Sequence, residues 1–83
     1  MHYVVTNLPT TRGSRVGLQL QDTLHGVIVV ALDAFPNEIV RTQVQPGDRI
    51  VSVAGVAARS ARAVAKRLKS SNGTVSVCLL RRE

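Results

Sequence analysis

The chain has 83 residues, 45% of them apolar, and carries 11 Lys and Arg against 5 Asp and Glu, a formal net charge of +6. That length fits one domain, and the apolar fraction supports a packed core rather than disorder, so residues 1–83 are expected to form a single module. No apolar run approaches the roughly 20 residues of a membrane-spanning helix, the N-terminus lacks a charged-then-apolar signal pattern, and a single cysteine, Cys78, excludes an internal disulfide. A cytoplasmic location is therefore expected.

Fourteen valines against one Phe and one Tyr point to strands that pack through branched aliphatics. His2 to Thr6 predicts a first strand, ended by Asn7, Pro9 and the polar stretch through Ser14. Arg12-Gly13-Ser14-Arg15-Val16-Gly17-Leu18 follows as a basic, glycine-containing loop. Gly17 lets successive backbone N–H groups converge on one point, which holds an anion without a cationic side chain. Gly17 to Gln21 then alternates, Leu18 and Leu20 against Gln19 and Gln21, the period of a half-buried strand. Asp22 to Gly26 supplies a turn, and Val27 to Leu32 a second, more buried strand.

Pro36 suits the first turn of a short helix continuing from Asn37 to Arg41. Gln45-Pro46-Gly47-Asp48 is a turn signal feeding a third strand from Arg49 to Val53, and Ala54-Gly55 turns again into an extended piece at Val56. Ser60 caps a predicted helix from Ala61 to Lys69, in which Ala61, Val64, Ala65 and Leu68 make one apolar face. Asn72-Gly73 closes it and opens a last strand, Thr74 to Leu80, with Val75, Val77 and Leu79 on one side.

Between Asp48 and Glu83 lie eight cationic residues and no acid, a balance that favours anionic partners, although ordinary solubilising charge accounts for it equally well. His2, His25 and Cys78 are too scattered for a Ser-His-Asp or Cys-His arrangement or for a metal site, and the glycines match neither a Walker loop nor a dinucleotide fingerprint. No enzyme activity, metal or cofactor is expected. The only aromatics, Tyr3 and Phe35, are not interleaved with the cations, so nucleic-acid binding is not expected either.

Over its whole length the chain resembles a PDZ domain. Arg15-Val16-Gly17-Leu18 is similar to the family's carboxylate-binding loop, and Gly47-Asp48-Arg49-Ile50-Val51-Ser52-Val53-Ala54-Gly55 resembles its more specific Gly-Asp-x-Ile-x-x-Val-x-Gly stretch. One departure is Ala54, where the family usually has Asn. The resemblance implies an α+β, mostly β fold: a small, partly open antiparallel barrel or sandwich of five to six strands with one short and one longer helix. The position of the first strand before the loop resembles the metazoan arrangement rather than the permuted one of bacterial proteases.

The same resemblance implies a site. The N–H groups of Val16, Gly17 and Leu18 would take the terminal carboxylate of a partner protein, with Arg12 supporting it through water. The peptide would lie as an added strand in a groove formed by Gln19, Leu20, Gln21, Ala61, Ala65 and Leu68. Val16, Leu18, Leu20 and Leu68 would line the pocket for an aliphatic last side chain. Ala61 matches the residue that reads the third position from the ligand end, and a methyl group there implies a hydrophobic ligand residue. Arg15, Arg62 and Lys69 would rim the groove and favour acidic ligand residues. The expected protein is thus a monomeric interaction domain within a larger scaffold. Alternatives from other classes are binding of anionic lipid, such as a phosphoinositide, through the basic helix and C-terminus, which would add membrane association, and a regulatory domain of a larger protease.

Overall fold

A computed structural model of the protein describes residues 1–10, 17–33 and 38–82. The elements in chain order are β1 (His2–Thr10), β2 (Leu18–Thr23), β3 (Gly26–Leu32), α1 (Glu38–Gln43), β4 (Arg49–Val53), β5 (Val56–Ala57), α2 (Ala61–Ser70) and β6 (Gly73–Arg81). The strands form one antiparallel sheet in the order β1-β6-β4-β3-β2, with β5 pairing to β4. One side of β4 pairs with β6. The other is divided, Arg49 and Ile50 serving β3 and Ser52 and Val53 serving β5. The mostly β reading with one short and one longer helix therefore holds.

Aliphatic side chains of three strands meet the helices in one core. Val27 and Val29 of β3, Ile50 and Val53 of β4, and Val75, Val77 and Leu79 of β6 are buried against Val40 of α1 and against Val64 and Leu68 of α2. The side of β6 expected to face inward does so. By contrast β3 is buried on one side only, and Val30 remains 45% exposed. The register between β2 and β3 shifts there, with Leu20 opposite Val29 and Gln19 opposite Ala31, so Val30 is the extra residue of a bulge.

Several boundaries differ from the sequence reading. β2 does not give way to a turn at Asp22 but runs to Thr23, with Asp22 paired to Val27 of β3. β1 does not stop at Thr6 but runs to Thr10 through Pro9, because it is an edge strand paired only with β6, a place where a missing N–H is tolerated. The short helix ends at Gln43 rather than Arg41, while its expected start at Pro36 and Asn37 lies outside the described residues. α2 ends on Ser71 in extended conformation, whose N–H bonds the Leu68 carbonyl and whose hydroxyl bonds that of Arg67. The Asn72-Gly73 pair therefore opens β6 without capping the helix.

The Gln45–Asp48 turn is the best-anchored junction. Asp48 N–H bonds Gln45 O at 3.1 Å and Gly47 has φ +96°, the left-handed conformation required after Pro46 in a type II turn. The Asp48 carboxylate is 2% exposed; it accepts from Gln45 N at 2.9 Å and, through both oxygens, from Arg81 Nε at 3.0 Å and Nη2 at 2.8 Å. Nη2 also donates to Gln43 O. Hydrogen bonding to Asp48 raises the Arg81 pKa above its ordinary value, with the coulombic attraction acting the same way and desolvation opposing both. One residue of the last strand thus ties the end of α1 to the start of β4.

Candidate functional site

β2 lies at the end of the sheet order, so among the described residues no strand occupies its outer side, and α2 packs across from it. Leu18 and Leu20 are half-buried against the core, while Gln19 and Gln21 between them are exposed, the alternation expected from the sequence. The opposite wall follows helical spacing. Val64 and Leu68 anchor α2 in the core, which turns Ala61 and Ala65 toward β2 and leaves Ala65 exposed. Between the walls is a cleft lined by Leu18, Gln19, Leu20, Ala61, Arg62 and Ala65. Ala61 and Ala65 give its helix side short apolar side chains opposite Leu18 and Leu20, and its strand wall keeps free backbone groups that an extended chain can pair with.

Of the residues singled out from sequence, Leu18, Gln19, Leu20, Ala61, Ala65 and Arg62 come together in this cleft. Leu68, 4% exposed, is closed into the core beneath α2. Gln21 and Lys69 are exposed and are not part of the lining. Gly17, immediately before β2, has φ +100°, a conformation that L side chains rarely adopt, and its carbonyl accepts from Asp33 N at 2.8 Å. Arg12, Arg15 and Val16 lie outside the described residues.

The helix wall starts with two capping bonds. Ser60, in extended conformation, accepts from Ala63 N at 3.0 Å through its hydroxyl, as its position before the apolar face predicts. The second bond was not legible in the sequence: Asp22 Oδ1 accepts from Ala61 N at 2.7 Å, joining residues 39 apart on opposite walls. The available signal was parity, because Asp22 has the same strand phase as Leu18 and Leu20 and so points toward α2.

A second cleft lies on the other side of α2, against β5. Val56, Ala57 and Ala63 contribute apolar surface to it, and Arg59, Lys66 and Arg67 contribute the charge. No group of three or more His, Cys, Asp or Glu suited to a metal ion occurs among the described residues, and no described helix is long and apolar enough to cross a membrane.

No protein-family model and no curated protein matches the chain in sequence. Solved structures do. The fifth PDZ domain of InaD superposes with a TM-score of 0.80 at 22% identity over 100% of both chains. The solution structure of the same InaD domain complexed with Kon-tiki peptide gives 0.82 at 22% identity, covering 100% of this chain and 80% of that one. A PDZ domain from choanoflagellate GIPC gives 0.81 at 16% identity, with coverages of 100% and 94%.

Proposed function

We propose that this chain, whose fold is that of a PDZ domain, is a non-catalytic interaction module that binds the C-terminal carboxylate and last few residues of a partner protein as a strand added between β2 and α2. The observation that carries the reading is the open outer edge of β2 facing the short side chains of Ala61 and Ala65 across a cleft. An added strand gains affinity from main-chain hydrogen bonds and specificity from alternate side chains entering pockets. The InaD domain complexed with Kon-tiki peptide has this same fold. In this chain the N–H groups of Val16, Gly17 and Leu18 take the carboxylate, and Leu18 and Leu20 favour an aliphatic last residue. Ala61 favours a hydrophobic third residue from the end, since its methyl group accepts no hydrogen bond. Fluorescence polarisation with matched free-acid and C-terminally amidated peptides tests the groove, and binding that survives amidation refutes it. A Thr/Val pair at the third position tests the preference, which fails if Thr binds more tightly.

A second reading, lipid binding, is favoured by the cleft behind α2. Arg59, Lys66 and Arg67 gather there beside exposed Val56, with no acidic residue in the lining. Each cation near an anionic membrane surface contributes about 1 kcal/mol, which salt weakens. The two clefts are on different sides of α2, so lipid and peptide would bind together. Cosedimentation with phosphatidylserine vesicles, compared with neutral ones, tests this; equal partition into both overturns it.

A further inference from the structure

Asp22 is the only acid in the two walls, β2 and α2, of a groove whose other charged side chains are cationic. Its carboxylate faces the groove, since Oδ1 sits 2.7 Å from Ala61 N. Leu18 and Leu20, two and four positions earlier, lie on that same face and pack on the core. The bulge in the β2–β3 pairing places its extra residue on β3, so β2 keeps its two-residue period through Asp22. This phase fixes what each ligand residue meets. A peptide whose carboxylate is held at the start of β2 runs antiparallel to that strand, its last residue beside Leu18, its third from the end beside Leu20 and its fifth beside Asp22. Residues directly opposite in an antiparallel pair put their side chains on the same face.

We infer that Asp22 is a specificity-determining residue that selects Lys or Arg at the fifth position from the ligand's C-terminus. The inference rests on the groove reading above and adds a charge rule to it. One carboxylate oxygen holds the helix wall, and the other is positioned for a cationic side chain arriving on the same face. Arg62, one residue beyond Ala61, lines the nearby cleft, so an acid on the ligand at the fifth position would be drawn to Arg62 but set against Asp22. Directly opposed charges on a strand pair have the shorter separation, and the carboxylate decides.

The test uses free-acid peptides identical except for Lys, Ala or Glu at the fifth position from the end, with an amidated control, titrated against the wild-type chain and Asp22→Asn. Asn keeps an oxygen for Ala61 N and removes only the charge. The wild type should prefer Lys over Ala by about two- to fivefold and Ala over Glu by a similar factor, the range of an exposed cross-strand charge pair. Both preferences should shrink with salt and be lost or reversed in Asp22→Asn, where Arg62 is the charge that remains; this variant should still require the free carboxylate and melt as the wild type does. Carboxylate-dependent binding with no preference for Lys, or a preference that persists in Asp22→Asn, overturns the role of Asp22 alone. Failure of every free acid to bind, or equal binding of the amide, overturns the groove reading and this selection together.

Discussion

Arg81→Ala tests whether the buried ion pair holds the domain together. The Asp48 side chain is 2% exposed and that of Arg81 is 19% exposed. Arg81 supplies two of the three hydrogen bonds that reach the Asp48 carboxylate and an additional bond to Gln43 O. Truncation leaves a buried carboxylate with one backbone donor. Breaking such a pair costs about 3–5 kcal/mol, and the partial exposure of Arg81, through which water can enter, places the expected loss near the lower end, about 3 kcal/mol. In a domain of this size about 1 kcal/mol moves the melting temperature by roughly 4–8 °C, so a fall of about 12–24 °C follows. With no Trp and one Tyr in the chain, far-ultraviolet circular dichroism is the suitable probe for urea and thermal unfolding. Replacing both partners, Arg81→Met with Asp48→Leu, should recover more than half the loss, because no charge is then left buried. A loss below about 1 kcal/mol for Arg81→Ala would put the pair in the class of exposed surface bridges and refute the reasoning.

Ala54 has φ +52° and is the only non-glycine residue with positive φ among those described. Ala54→Asn should stabilise the domain by about 0.5–1 kcal/mol in urea melts, since Asn tolerates this conformation and Asn-Gly suits the two-residue hairpin between β4 and β5. Ser60→Ala removes the acceptor for Ala63 N and should cost about 1 kcal/mol of stability, measured the same way. Two leucines provide a contrast: Leu79→Ala, at 0% exposure, should lose about 3–5 kcal/mol, whereas Leu24→Ser, at 102%, should stay within about 0.5 kcal/mol of wild type.

The strand and helix pattern was legible because it rests on local signals. Alternation marked Leu18 and Leu20, the 3.6-residue period marked Val64 and Leu68, and Pro46-Gly47 marked the turn whose glycine has positive φ. What the sequence concealed depends on the order of strands. Pro9 reads as a strand breaker until β1 is known to be an edge, and Val30 reads as core until the β2–β3 register shows the bulge. The two long-range bonds, Asp48 to Arg81 and Asp22 to Ala61, span 33 and 39 residues, and the only local trace of either is the strand parity of Asp22. Within the Gly47-Asp48 stretch the sequence supplied the motif, and the structure supplied its chemical reason in the buried carboxylate. At the site, the helix and its apolar face followed from spacing and the Ser60 cap, while its role as a groove wall and the closed end of the groove were assigned by family resemblance.

Pairing of β1 with β6 begins with His2 opposite Arg81. The two ends of the chain therefore emerge side by side, and β1 is at the opposite end of the sheet from β2. Such a unit can be spliced into a surface loop of another protein, or have its ends joined and be reopened elsewhere, without a linker crossing the cleft. A label or surface tether attached at either end would leave the cleft facing solution, so the titrations above can be run on immobilised protein.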